Sequence, residues 1–227
     1  VMQLAGMKVT NYPYDVYLPK NPGTSLIEIV TPYRDVLNQK EDIIENDPYT
    51  KDPELWKGWN AFSGSGDVTA EVVYANYGRK EDFETLKSLG IDVNGKIVIA
   101  RYGGNFRGYK AKFAEANGAT GLIIYTDPQD SGFTKGLVYP HGPYYNSSTI
   151  QRGSLLTTDF TGDPLTPFEP ALPLDSKEKI ERVDPKNAQL HTIPVSPIGY
   201  GEAEKILSQM NGEPVPQSWQ GGLPFTY

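Results

Sequence analysis

Cysteine is missing altogether and histidine nearly so: the 227 residues hold no Cys and two His. The first absence rules out a thiol nucleophile, a thiolate zinc site and any disulfide, and it suits the cytosol and a bacterial envelope equally. The second limits metal chemistry. His141 and His191 have neither HExxH nor His-x-Asp around them, so no self-contained catalytic zinc site can be read here. Each reads instead as a loop or strand-edge histidine making an ordinary hydrogen bond. No serine stands in G-x-S-x-G, which removes the hydrolase elbow though not a dispersed Ser/His/Asp arrangement. No run approaches the roughly 18 apolar residues of a membrane span. The opening Val1-Met2-Gln3-Leu4 is not a basic-then-apolar leader, so no signal peptide is read either. Positive charge is also scarce, with 21 Lys and Arg against 28 Asp and Glu and a net charge of −7. A phosphate-tracking surface would have to work against that field, so nucleic acid is a poor partner.

What is present is turn-forming and apolar material. With 38% hydrophobic residues the chain can build a core as one large domain or two small ones, and 23 Gly, 19 Pro and 15 Tyr favour short strands and turns over a helical bundle. Residues 1–60 carry short runs, Tyr14–Leu18 and Ser25–Val30, that predict strands in need of partners. Residues 38–57 are acidic and proline-punctuated and predict an exposed loop ending near Trp56 and Trp59.

The centre is the most regular part. Residues 70–77 predict a strand, 81–89 a helix with Phe83, Leu86 and Leu89 in phase before Gly90, and 96–102 a buried strand. A second unit follows, with a helix over 108–117, a stop at Gly118, a buried strand over 121–126 and a turn at Asp127-Pro128. Two crossovers of this length favour neighbouring parallel strands. Residues 129–174 lack sustained periodicity and are too long for an ordinary connection, which marks a functional or interface segment. An extended run over 193–198 precedes a helix with Ala203, Ile206, Leu207 and Met210 in phase and an Asn211-Gly212 stop, and 218–227 resembles the start of another extended segment.

Few residues in these elements point to chemistry. Gly90 to Lys96 has phosphate-loop spacing, but Ile97 stands where Ser or Thr would hold magnesium and a strand follows, so it reads as a helix stop and a turn. Arg101, Arg107, Lys110 and Lys112, interleaved with Tyr102, Phe106 and Tyr109, form the one concentrated basic stretch. It reads either as a solvated helix face beside a glycine turn or as a contact for an anionic or aromatic ligand. Arg79 follows a predicted strand, where a rigid scaffold presents ligand-facing side chains, and reads equally as a surface ion pair. Asn146-Ser147-Ser148 fits the glycosylation sequon, which matters in a eukaryotic secretory setting.

Five blocks in fixed order carry a resemblance: VVYANYGRKEDF (72–83), NGKIVIARYGGNFRGYKAKFAEANGATGLIIYTDP (94–128), QRGSLL (151–156), GDPLTPFEPA (162–171) and TIPVSPIGYGEAEKIL (192–207). Together they resemble the protease-associated (PA) domain of the glutamate carboxypeptidase II and transferrin receptor family. The resemblance implies an α/β fold, a swivelling β/β/α domain with a β-sandwich or open-barrel core and flanking helices, over residues 61–212. Residues 1–60 would be flanking strands and a loop of a host peptidase domain, and 213–227 a linker toward a catalytic domain. In the enzymes of that family the domain covers a two-zinc peptidase site and helps form the substrate cavity, with the zinc ligands and general base in the peptidase domain. The block NY-x-R matches Asn76, Tyr77 and Arg79, and the resemblance implies that Arg79 meets the substrate's C-terminal carboxylate, a pairing suited to a guanidinium. Phe113 departs from the substrate-contacting asparagine of the human-type carboxypeptidase, which unsettles a glutamyl preference. Arg107 and Lys110 are second-tier candidates in the same block.

The chain alone is therefore expected to lack catalysis and to bind no metal of its own. It is expected to serve a parent zinc carboxypeptidase or aminopeptidase, with the catalytic domain of the same polypeptide and a peptide as partners. Two zinc ions are expected in the catalytic domain, and a calcium ion and a homodimer of the parent are further expectations of the resemblance. So is a secreted, periplasmic or cell-surface location, with no membrane contact by this segment. The alternative is a receptor-type binding module without peptidase activity, and Arg79 leans against it because the receptor block lacks an arginine there. A third reading is a chiefly structural domain making dimer contacts through residues 129–174.

Overall fold

A computed structural model describes residues 1–227. The chain forms two compact units, one of residues 1–19 and 158–190, the other of residues 20–157 and 191–227. This division by packing differs from the division by sequence blocks at 60 and 212.

The larger unit is built on a four-stranded, all-parallel sheet: β1 (Val72–Tyr74), β2 (Ile97–Arg101), β3 (Gly121–Tyr125) and β4 (Val195–Ile198). The strands lie side by side in chain order, with Val72 opposite Ile97, Ile97 opposite Gly121, and Leu122 opposite Val195. Helix α1 (Lys80–Ser88) joins β1 to β2, and α2 (Arg107–Ala116) joins β2 to β3. The two helices pack on one another, and α2 also packs on β3. A one-turn helix α3 (Pro128–Ser131) follows β3, capped by Asp127, and α4 (Tyr200–Leu207) follows β4.

The apolar runs explain this sheet. Val98, Ile99 and Ala100 of β2 and all of β3 are buried, as strands covered on both faces must be, so their sequences run apolar without alternating. Phe83 and Leu86 of α1, Ala111 and Ala114 of α2, and Ala203, Ile206 and Leu207 of α4 are buried in the same core. Burying them is favourable by roughly 25 cal/mol per Å² of apolar surface removed from water. The rest of its β structure is two-residue ladders, Asn60–Ala61 with Gly153–Ser154 in parallel and Glu28–Ile29 with Asp35–Val36 antiparallel, and single parallel bridges of Gly64 with Pro194 and Val138 with Tyr144.

Several expectations shift. The predicted strand over 25–30 contracts to Glu28–Ile29. That over 70–77 ends at Tyr74, because Asn76 takes φ +51° and Gly78 φ +62°, left-handed positions that break a ladder. Residues 218–227 form no strand. A short turn at Gln217–Trp219 lays the tail on the core, where Trp219 and Leu223 are buried and the Tyr74 hydroxyl donates to the Trp219 carbonyl at 3.0 Å.

The smaller unit has little regular structure beyond the ladder of Gly162–Asp163 with Thr166–Pro167. Tyr14–Leu18, predicted as a strand, pairs in no sheet. It is held by isolated hydrogen bonds, among them Asp15 N to the Ala171 carbonyl at 2.9 Å, Leu174 N to Asp15 Oδ2 at 2.8 Å and Tyr17 N to Asp163 Oδ1 at 2.7 Å. No helix of the chain is long and apolar enough to cross a membrane.

Candidate functional site

The carboxyl ends of β1, β2 and β3 lie together, and the segments that leave them, residues 75–79, 102–106 and 126–131, carry most of the polar groups singled out in the sequence. Such an edge of a parallel sheet is where open α/β folds place ligands. Its centre is Arg101, the last residue of β2, with 2% exposure. Its Nε and Nη2 donate to Asn76 Oδ1 at 3.2 and 2.8 Å, and its Nη1 donates to Gln129 Oε1 at 3.0 Å. The guanidinium carbon lies 4.0 Å from the centroid of the Tyr77 ring, and Nη1 lies 3.7 Å from Asp130 Oδ2. A buried arginine is tolerated where hydrogen bonds and a carboxylate replace its water, and all these are here.

Asn76, also 2% exposed, passes this network on. Its Nδ2 donates to Asp82 Oδ1 at 2.9 Å, while Arg79 N donates to Asp82 Oδ2 at 2.9 Å. Asp82 thereby satisfies one free N–H at the start of α1, and its charge suits the positive helix end. Both functions of the Asn76 amide are thus engaged within the chain. Tyr77 is held from both sides, by Arg101 over its ring and by Asp130, whose Oδ1 accepts from the hydroxyl at 2.7 Å. Burial, and next the bond to Asp130, push the Tyr77 phenol up to about 12, so it stays protonated at neutral pH. Gly104 closes the other side. It has φ +73°, and a Cβ there would stand 2.8 Å from Tyr77 Cβ and Cγ, so the chain has room for glycine alone.

Three cations meet at this edge, and they differ in what they have left to offer. Arg101 is consumed. Lys110, on α2, has no exposed surface, and its Nζ donates to the Tyr77 carbonyl at 2.5 Å, the Gly103 carbonyl at 2.7 Å and Asn105 Oδ1 at 2.7 Å. The reading of the basic stretch as a solvated face therefore fails for Arg101 and Lys110, both of which are interior. Arg79 is different. Its side chain is 42% exposed, 3.6 Å from Asp82 Oδ2 and 5.3 Å from the Tyr77 ring centroid, and its buried Nε has no hydrogen-bond partner.

The other candidates point elsewhere. Arg107 lies against the Tyr102 and Phe106 rings, with Nη1 3.4 Å from the Ser154 carbonyl. Phe113 stacks on Tyr109 at 6.0 Å, and Tyr109 meets the exposed Phe106 edge-on at 6.3 Å, an aromatic stripe running along α2. His191 lies with Nε2 3.0 Å from the Leu155 carbonyl and 3.1 Å from Thr157 Oγ1, and Nδ1 3.3 Å from Glu115 Oε2. No group of three His, Cys, Asp or Glu side chains could hold a metal ion. Gly90 to Lys96 is a helix stop and a turn, with Ile91 N donating to the Leu86 carbonyl.

Sequence reasoning named Asn76, Tyr77, Arg79 and Lys110, and the fold brings these four together. It did not name Asp82, Gln129 or Asp130. Asp82 had a local signal, an acidic residue at the third position of a helix. Gln129 and Asp130 had none, because they reach Arg101 and Tyr77 through strand pairing.

Residues 68–157 match the PA domain family. The chain is 41% identical over 174 residues to a glutamate carboxypeptidase 2 homolog of Caenorhabditis briggsae, covering 74% of this chain and 22% of that protein. It is 40% identical over 227 residues to a protein of Arthroderma benhamiae described as a probable glutamate carboxypeptidase, covering 94% of this chain and 30% of that one. It is 35% identical over 225 residues to the aminopeptidase NAALADL1 of Rattus norvegicus, covering 95% of this chain and 29% of that one. The chain thus spans less than a third of the length of these relatives. With the parallel sheet, its crossover helices and these matches together, residues 68–157 are a PA domain of the kind carried by relatives of glutamate carboxypeptidase 2 and NAALADL1.

Proposed function

We propose that this chain is a non-catalytic part of a two-zinc exopeptidase, that its PA domain covers the active site, and that Arg79 receives the C-terminal carboxylate of the peptide substrate. The observation that carries this reading is the division of labour among the three cations. Arg101 and Lys110 spend their donors inside the chain, whereas Arg79 has a fixed backbone and a half-exposed guanidinium. A guanidinium so placed offers a carboxylate two parallel N–H donors. Asn76 and Tyr77 then act by holding the loop, with the Tyr77 hydroxyl, already donating to Asp130, left to accept a substrate N–H. In this reading the two zinc ions would be held by residues of the same polypeptide outside this chain. No catalytic step is therefore assigned to residues described here.

The test is hydrolysis of dipeptides with a free C-terminal carboxylate, and of the corresponding C-terminal amides, by the full-length protein and its Arg79→Ala variant. A charge-assisted hydrogen bond is worth about 1.5–3 kcal/mol, so KM for the free acids rises about 10- to 100-fold while the amides change little. Zinc content is measured on the same samples. A protein free of zinc and activity, or a variant impaired equally on acids and amides, refutes the reading.

A further inference from the structure

We propose that Lys110 is a positioning residue for Arg79: its buried ammonium ties the loop carrying Arg79 to the loop leaving β2 and so holds the guanidinium where a substrate carboxylate meets it. The role rests on the function proposed above.

The geometry is a complete cradle. The ammonium has three N–H donors and three acceptors, the carbonyls of Tyr77 and Gly103 and the Asn105 side chain, all at 2.7 Å or less. Tyr77 lies two residues before Arg79, and Gly103 and Asn105 flank Gly104, which packs against Tyr77. A Cβ at Gly104 would also come within 3.3 Å of Arg79 Nε, so the two loops touch at the residue being positioned. Asn105 Nδ2 adds a long contact to the Gly78 carbonyl at 3.4 Å. Lys110 is the one cationic group to which both loops present carbonyl oxygens. The ammonium stands between these carbonyls, two acceptors that would otherwise repel one another.

No carboxylate touches the ammonium, which gives the tie a property of its own. Burial lowers Lys110 to about 7, with Asp82 and Asp130 acting against the shift and Arg79 and Arg101 with it. An opened chain, with the lysine solvated, holds this proton to higher pH than the tied one, so titration does not break the tie, and the tie is read by removing the side chain or one of its acceptors.

Hydrogen exchange in the full-length protein reads the tie directly, through the protection of segments 76–79 and 103–106. Protection of both segments is expected to fall in Lys110→Met and, to a smaller extent, in Asn105→Ala, which removes one of the three acceptors from a part-exposed loop. In parallel, KM for free-acid dipeptides is expected to rise roughly 10- to 100-fold in Lys110→Met, as for a misplaced binding group, with C-terminal amides unaffected. The Asn105→Ala protein stands by itself if Lys110→Met fails to fold. Wild-type protection of both segments in either variant, or a Lys110→Met protein with wild-type KM for free acids, overturns the proposal. Loss of protection in the variants of a protein that neither binds nor cleaves any dipeptide upholds the tie and sinks the peptidase reading alone.

Discussion

Gly108 sets two physical effects against each other. It is the second residue of α2, a position where helix propensity favours alanine, so Gly108→Ala should stabilise by about 0.5–1 kcal/mol if local preference decides. The fold argues the opposite. A Cβ at Gly108 would lie 2.2 Å from the Leu155 carbonyl oxygen, 2.8 Å from its carbon and 2.7 Å from Thr157 Cγ2. Two of the three contacts are backbone, and the Leu155 oxygen already faces His191 Nε2 at 3.0 Å, so the obstruction cannot turn aside as a side-chain tip would. Separation to ordinary contact needs a shift of about 1 Å between α2 and the 155–157 segment, and overpacking of this kind costs about 1–3 kcal/mol, here toward the upper end. The net expectation is a loss of about 1–2 kcal/mol, seen as a fall in Tm of about 2–8 °C for a chain of this size. Gly201 provides the internal control. It is the second residue of α4, and its Cβ would meet Ser147 Cβ at 3.1 Å and the Ser147 carbonyl oxygen at 3.2 Å, contacts that a few tenths of an ångström relieve. Gly201→Ala should therefore be near neutral. Thermal unfolding followed by near-ultraviolet circular dichroism compares the two. A Gly108→Ala protein as stable as wild type, or more so, would show that α2 does not sit against residues 155–157 as described.

Other perturbations test the buried polar groups. Asp127, fully buried, accepts from the Tyr125 and Tyr227 hydroxyls and from the backbone N–H groups of Gln129 and Gly222. Asp127→Asn sets an amide donor against donors and should cost about 3 kcal/mol in urea unfolding, with residues 213–227 becoming the first site of protease cleavage. A tail that stays protected counts against the latch. On the acid side, burial would raise Glu41 but its pairing with Arg152 outweighs this and lowers it. The stability it contributes is present above the unfolded value near 4.5 and is lost as pH falls below it, and Glu41→Gln should flatten that limb of the stability curve. On the alkaline side Lys110 is lowered to about 7 from 10.5, so between these values the unfolded chain holds a proton the folded one has shed, and stability rises with pH. Above about 10 the raised phenols, Tyr77 at about 12 among them, reverse the slope, because the folded chain then keeps protons the unfolded one loses. Lys110→Met should abolish the rise and keep the fall.

Where the sequence was legible, the reason is local. Ile97–Arg101 and Gly121–Tyr125 spell their strands because a parallel strand covered on both faces needs an unbroken apolar run. Glycine stops placed the ends of α1 and α2 within a residue or two. Tyr14–Leu18 shows the limit, since its alternating pattern states a preference for extended backbone but does not supply a neighbour. Its hydrogen bonds go to residues such as 163, 171, 174 and 182, at separations no pattern reports. Asn76 was legible as part of a motif, but not as the acceptor of Arg101, because that bond spans 25 residues and depends on β1 and β2 lying side by side.

Lys110 is the most instructive failure. A lysine among Arg107, Tyr109 and Lys112 belongs, by composition, to a solvated helix face, and the price of burying an ammonium argues the same way. The helix phase argued otherwise. Lys110 lies one turn before Ala114 and next to Ala111, both fully buried, so it sits on the face that α2 turns toward the protein. A cation on that face is stable only where enough oxygen atoms converge on it. The oxygens that do so belong to two loops whose approach depends on the left-handed Gly103 and Gly104 and on the pairing of β1 with β2. The tertiary fold thus creates the acceptors, and the acceptors make a charged residue acceptable inside. The same loops carry Arg79, so the interaction that offsets the cost of burying Lys110 also fixes the one guanidinium at this edge that still faces solvent.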